Sequence, residues 1–442
     1  MIQTTLLVAI SVSFVLSAPQ INPKADGCYL DVVANSPSAP LVVNSSLLFP
    51  TPIASNTTQV FFAQGETFYI GCPGGDFNYP LLKNGEPALC HKDTTISTLN
   101  SQQIVDFNEL YCILDQRLRP DLFEQVTSDG CENGGKIQSV GYSIDDQWVE
   151  TYKICYNPTE MSVLYVKYVT NQWMDDLPRY DPNGVSKVWS GIFQIDLEQV
   201  YNTIEQRIND LGVATGYITS RSYLEGGFLA PYDNFLSPFQ RDTTFDMANA
   251  PLQWTTVTSG NWEAMEESLR WLLTHGKDFG DVTILGGTLG VADLPDNNGN
   301  PIDLYLFGGN SLPVARWFWK LMLSPSTSSG ILFFVYNNPY VPKPQVDKEF
   351  STDLCVDDVL EEISWVDGID NLNPYSGFIY ACVLDLSNII NPTMYEVLHN
   401  LLPQKRGLTI PKSTMVQKVQ KVEEKTQISQ KRVAKVFNST KV

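Results

Sequence analysis

Between Tyr223 and Arg270 the sequence gathers the side chains that polar chemistry needs: Glu225, Arg241, Asn249, Gln253, Thr258, Glu266 and Arg270, with Phe228 in a Gly-Gly-Phe turn. Carboxylates accept protons or hold cations, guanidinium groups present a fork of donors to phosphate oxygens, and amides brace loops or meet a ligand. Such a set suits an anionic substrate. The commonest general base is missing from the block, because the histidines of the chain are His91, His275 and His399. A phenyl ring such as that of Phe228 takes no proton at any pH, and a positioned base contributes about 100- to 10,000-fold to a hydrolysis.

The elements that must position these groups follow from spacing. Trp262, Met265, Leu269 and Leu272 recur at helical intervals and share one face, with Glu266 and Arg270 one turn apart on its flank. On that spacing alone the two are an ordinary surface ion pair of modest value. Ser259 and Gly260 mark the start of this helix and Gly276 its stop. Upstream, Gly226, Gly227, Pro231, Asn234 and Pro238 predict an irregular loop. Alternation over Val163 to Tyr168 predicts a strand. Further strands are expected at Val185 to Ile195, Val213 to Thr219, Val282 to Leu289, Ile302 to Phe307, Val314 to Met322, Ile331 to Tyr336 and Gly377 to Leu386. Leu197, Val200, Ile204, Ile208 and Leu211 predict a helix ended by Gly212, and Asp353 to Val366 and Met394 to Leu402 predict two more. The expected fold class is α+β, a sheet with helices packed against it.

The order of these elements resembles the DNA/RNA non-specific endonucleases, in their secreted insect branch. Glu225-Gly-Gly-Phe-Leu-Ala-Pro231 is similar to the Asp-Arg-Gly-His-Leu-Ala-Pro motif of that family. Arg241 with Thr244-Phe245, Asn249-Ala-Pro-Leu-Gln253, Gly260-Asn261-Trp262 and Glu266 with Arg270 follow in family order, and Leu312 to Met322 and Phe334 to Pro339 also match its pattern. The resemblance implies a ββα-metal (His-Me finger) domain that hydrolyses nucleic acid with magnesium. It places Phe228 at the general-base His, Thr258 at the Asn that ligates the metal directly, and Gly226 at an Arg. It assigns Glu266 to metal-bound water and Arg270 to a phosphate oxygen, and makes Arg241 and Asn249 candidates for phosphate or nucleic-acid contact, although by residue type Asn249 and Gln253 read first as groups that brace the loop. The implied magnesium site is weak or lost, as in degenerate members similar in type to the nucleic-acid-binding proteins of tsetse saliva.

Composition frames this reading. Apolar residues from Thr5 to Leu16 before Leu16-Ser17-Ala18 predict a signal peptide over residues 1–18, and no later run is long enough for a membrane helix. Eight cysteines without a CxxC spacing, with few histidines, predict disulfides in a secreted chain, Cys355 pairing with Cys382 and the other six open in connectivity. Asn44, Asn56 and Asn438 begin glycosylation sequons. A Cys-rich, β-rich N-terminal domain is expected over residues 19–157, an endonuclease-like domain over 158–403 and a basic, disordered tail over 404–442. From Lys405 onward ten Lys/Arg face two acids, so the total of −20 leaves a balance of −28 on the body. Polyanion binding is driven by cations that displace counterions, and so acidic a body binds nucleic acid only where its cations are focused.

Three functions are consistent with these residues. The leading one is a secreted nuclease-fold protein with impaired catalysis that retains nucleic-acid binding. The second is a working magnesium-dependent endonuclease using Glu225 or Glu266 as substitute base. The third is a secreted structural or interaction protein with no nucleic-acid role. Oligomeric state is not legible.

Overall fold

The computed structural model describes residues 26–34, 38–54, 57–114, 124–131, 135–170, 191–193, 200, 202–275, 282–324, 329–353 and 358–385. Its centre is an antiparallel sheet of eight strands whose spatial order is their chain order: β1 (Glu124–Cys131), β2 (Gly135–Ile144), β3 (Gln147–Asn157), β4 (Ser162–Thr170), β5 (Val282–Val291), β6 (Ala315–Ser324), β7 (Ser329–Tyr336) and β8 (Ile379–Asp385). Residues 171–281, which carry the chemical block, are inserted between the hydrogen-bonded neighbours β4 and β5.

β6 explains how the sheet is buried on both faces. Its run Trp317-Phe-Trp-Lys-Leu-Met322 has period-two geometry, so Phe318, Lys320 and Met322 share one face and Trp317, Trp319 and Leu321 the other. The second face packs Trp317, Phe334 and Tyr380 against Val346 and Phe350 of a helix, Lys343–Asp353. The first face receives the inserted block. Register aligns Val166 with Gly286, and Gly286 with Lys320, so the lysine sits mid-sheet beneath that block.

Ahead of the sheet, five strands (Leu41–Asn44, Thr67–Gly71, Glu86–Lys92, Thr95–Thr98 and Ile104–Asp106) form a smaller sheet, tied by the disulfides Cys28–Cys90 and Cys72–Cys112. The third disulfide, Cys131–Cys155, joins β1 to β3 instead. The expected boundary at 157/158 therefore falls between β3 and β4, two paired strands. A continuous apolar cluster runs from Val42 and Phe68 through Ile144 to the site helix. Cys382 is disulfide-bonded, while Cys355, its expected partner, lies outside the described residues.

Several expected elements differ. The helix expected over Asp353 to Val366 is displaced: the helix is Lys343–Asp353, and Leu360–Glu362 is a single 3-10 turn. Only Val346 and Phe350 of that helix are apolar and buried, one turn apart, too few for a periodic signal. Val213 to Thr219 makes one isolated bridge, Val213 to Asp296, rather than a strand. Ile302 to Phe307 is split into Pro301–Asp303 and Tyr305–Phe307. The expected signal peptide, tail and Met394 to Leu402 helix, and almost all of the Val185 to Ile195 strand, lie outside the described residues. No helix among the described residues is long and apolar enough to cross a membrane.

Candidate functional site

The stretch expected to be an irregular loop begins and ends in a small hairpin. Leu224–Gly226 pairs with Leu252–Trp254, placing Glu225 opposite Gln253. Asn337, from the Phe334 to Pro339 segment, fixes this hairpin to the sheet: its Oδ1 accepts from the Trp254 N–H at 2.9 Å, and its Nδ2 donates to the carbonyls of Ala315 at 2.8 Å and Leu252 at 3.3 Å. Gly227 is required by close approach, since a Cβ there would lie 2.3 Å from Oε1 of Gln253.

Within the loop, Asn249 is the central brace. Its Oδ1 accepts from the Ala230 N–H at 2.8 Å, and its Nδ2 donates to the carbonyls of Ala230 at 2.8 Å and Thr244 at 2.7 Å. The side chain is fully buried, which suits the bracing use of this amide rather than the phosphate contact. Arg241 differs from expectation for a related reason. It lies inside the short helix Pro238–Thr243, is 5 % exposed, and its Nε donates to the Phe235 carbonyl at 2.8 Å, an inward position rather than a surface one.

Phe228 projects from the turn that Asn249 holds. Its ring meets Phe245 edge-on at 5.5 Å and Tyr232 at 6.3 Å, and Tyr232 and Phe245 stack on each other at 5.7 Å. This is an aromatic corner. None of the described histidines joins it: His91 is exposed, and His275 closes the site helix with Nδ1 2.9 Å from the Trp271 carbonyl and its ring stacked on Trp271.

The helix side of the site is charged. Thr255–Val257 and a wide turn over Thr258–Trp262 lead into the helix Glu263–His275, with a break at Gly260, where a Cβ would sit 2.7 Å from the Ser376 backbone. Asn261, 1 % exposed, pins this start by accepting from the Asp370 N–H at 2.8 Å and donating to the Gly377 carbonyl. Glu266, 4 % exposed, points into the sheet and makes an ion pair with Lys320 of β6, itself fully buried, whose ammonium lies 5.0 Å from the Trp262 ring. An isolated buried ammonium costs on the order of several kcal/mol, so a lysine here demands this partner. Burial pushes the Lys320 pKa down, and the charge of Glu266 opposes that shift. Burial and the same carboxylate hold the Tyr168 hydroxyl well above the usual tyrosine range, while Asn234 donates to it at 2.8 Å. Arg270 is only half-buried. Sequence reasoning missed Lys320, although a lone charge inside an apolar strand was the available signal.

Residues 133–387, more than half of the chain, match the DNA/RNA non-specific endonuclease family. The chain belongs to that family. A salivary endonuclease of Lutzomyia longipalpis is 24% identical over 340 residues, covering 76% of this chain and 75% of the relative. Salivary protein Tsal1 of Glossina morsitans morsitans is 22% identical over 365 residues, covering 79% and 86%, and Salivary protein Tsal2A of the same fly is 22% identical over 308 residues. A solved structure of an EndoG/EndoGI complex aligns over 45% of this chain and 80% of its own at 17% identity, with a TM-score of 0.29.

A non-specific endonuclease of this family implies magnesium, and the donors present do not fit it. Thr258, the residue that the resemblance sets against the direct ligand, has a hydroxyl that faces two acceptors, Oε1 of Gln253 at 3.0 Å and the Trp254 carbonyl at 3.2 Å. Glu266 has one oxygen on Lys320 and offers only Oε2, which is buried and without a hydrogen-bond partner. The one free oxygen of Glu266 lies beside an ammonium, which disfavours a second cation there. Among the described residues no cluster of three His, Cys, Asp or Glu side chains exists.

Proposed function

We propose that this endonuclease-family chain is a secreted protein that binds nucleic acid and has lost efficient hydrolysis. The observation that supports this reading is the Phe228 corner: the residue that the resemblance sets against the general base is a phenyl ring packed on two further rings. A phenyl ring cannot accept the proton of an attacking water, and the loss of a base costs about 100- to 10,000-fold. Thr258 in place of an amide ligand weakens metal capture further, so magnesium is weak or absent in function. Arg270 and the basic stretch from Lys405 onward are the cations proposed to contact phosphate; Arg241 and Asn249 support the loop. Secretion fits the disulfides and the salivary relatives.

One observation favours a working endonuclease as the second reading. Glu225 is half-buried, and burial raises its pKa above the ordinary carboxylate range, with the Thr258 hydroxyl opposing, which is the direction a general base needs. Digestion of plasmid DNA and double-stranded RNA with and without magnesium separates the two. Turnover near that of a His-containing relative, abolished by a chelator, rejects the proposal. A filter-binding titration of the full chain at two salt concentrations tests retention, and no retention even at low salt leaves a structural or interaction role instead.

A further inference from the structure

We propose that a strip of tyrosines beside the hairpin, Tyr223, Tyr340 and Tyr375 with the cation Arg221, is a stacking surface for the unpaired bases of single-stranded nucleic acid. This inference rests on the nucleic-acid reading above and names the form of the ligand. The strip is built into the fold. Tyr340 meets Trp254 of the hairpin edge-on at 5.3 Å, and Tyr217 and Tyr375 meet Tyr340 edge-on at 4.8 Å and 5.9 Å. The Tyr340 hydroxyl donates to the Tyr217 carbonyl and lies 3.1 Å from Oγ of the buried Ser222, which fastens the turn that carries Arg221. The Tyr223 carbonyl accepts from the Thr255 N–H at 2.8 Å, and Ser376, next to Tyr375, packs against Gly260. The strip therefore borders the seam where the hairpin runs into the site helix.

Exposure sets these rings apart. Tyr223 is 44 % and Tyr375 46 % exposed, whereas the aromatic rings of β6 and β7 are buried. Arg221 is exposed too, and its guanidinium makes no ion pair or hydrogen bond among the described residues. Charge then decides which nucleic acid the surface suits. Arg241 and Lys320 are buried, and Arg270 shares the site helix with the exposed Glu263 and Glu267. Asp367 and Asp370 are exposed on the segment beside that helix. A duplex carries a charge every 1.7 Å or so, about the densest array of phosphates a protein meets, with its bases stacked inside, and so few cations match it poorly. A single strand offers base faces, and stacking one base on an aromatic ring contributes roughly tenfold to affinity without a net positive surface.

The test measures binding of three fluorescein-labelled probes to the full chain at low salt, with a chelator so that no cleavage intervenes: a short DNA strand, its duplex, and an abasic strand of the same length. The plain strand is expected to bind roughly tenfold tighter than either of the others. Tyr375→Ala should weaken binding of the plain strand roughly tenfold, and Tyr375→Trp should keep it within about twofold of wild type. Both substitutions lie on the surface and should leave the Tm within about 2 °C of wild type. Arg221→Ala should reduce the slope of log affinity against log salt by about 0.7. A plain strand held no tighter than the duplex and the abasic strand overturns the proposal and leaves the nucleic-acid reading standing. Binding carried by the stretch from Lys405 onward would give that result, since phosphate contacts hold all three probes alike. Tyr375→Ala and Tyr223→Ala both silent, or Tyr375→Trp as weak as Tyr375→Ala, also overturns it. No binding of any probe removes the nucleic-acid reading and the strip together.

Discussion

The two sides of the site are built in opposite ways. The loop side keeps its framework, with Asn249, Gly227 and Asn337 locking the hairpin, yet the group it displays is Phe228 in an aromatic corner. The helix side is charged, with Glu266 paired to the buried Lys320 and Arg270 one turn further along. The contrast separates a backbone braced by buried hydrogen bonds from the side chains mounted on it. A brace is held by the cost of leaving several groups unsatisfied, whereas a displayed side chain is replaced without penalty to folding.

The sharpest way to break the comparison is to return chemistry to the loop side. Phe228→His with Thr258→Asn restores a proton acceptor and an amide oxygen on a backbone already in place. Cleavage of plasmid DNA in magnesium is expected to rise about 100-fold or more over wild type, from the contribution of a positioned base. A folded double variant as inert as wild type would mean that Gly226, where the family has Arg, or the Lys320-bound Glu266 limits the reaction.

The framework itself predicts the next largest effect. Asn249→Ala leaves the Ala230 N–H and the Ala230 and Thr244 carbonyls without their partner in a fully buried position. At roughly 1–3 kcal/mol for each stranded group, partly offset by relaxation, the loss is roughly 3–5 kcal/mol. That is a large part of the 5–15 kcal/mol typical of a domain. Urea denaturation monitored by tryptophan fluorescence measures it. A loss below about 1 kcal/mol would show that the amide is no brace.

How far the sequence was legible follows the same divide. The strand at Ser162–Thr170 and the site helix were readable because their apolar periods are long and regular. The hairpin was not, because its strands have three residues each and lie far apart in the chain, too short for alternation to register. The Lys343–Asp353 helix was missed because two buried side chains do not make a period. At the site, the identities of Phe228, Thr258, Glu266 and Arg270 were legible, but their partners were not. Glu266 has Arg270 one turn away in sequence, and that pair was the natural expectation; its buried partner Lys320 comes from a distant strand. Asn249 and Arg241 carry polar groups that suit ligand contact or bracing equally well, and only burial separates the two uses.

The smallest effect concerns Glu225, which stands at the seam between the two sides, paired across the hairpin with Gln253 and beside Thr258. Burial raises its pKa in the folded chain, so the folded state holds the proton more tightly than the unfolded one. The associated stability is present below the unfolded pKa and is lost as the pH rises through the folded value. Glu225→Gln is neutral throughout and has no such dependence. The Tm of wild type relative to Glu225→Gln should therefore fall as the pH rises above the ordinary carboxylate range, by roughly one or two degrees, because the group is partly exposed and solvent screens it. A difference that is flat, or that grows in favour of wild type as the pH rises, would mean that Glu225 is stabilised as a carboxylate. The seam would then belong with the charged helix side rather than with the aromatic loop.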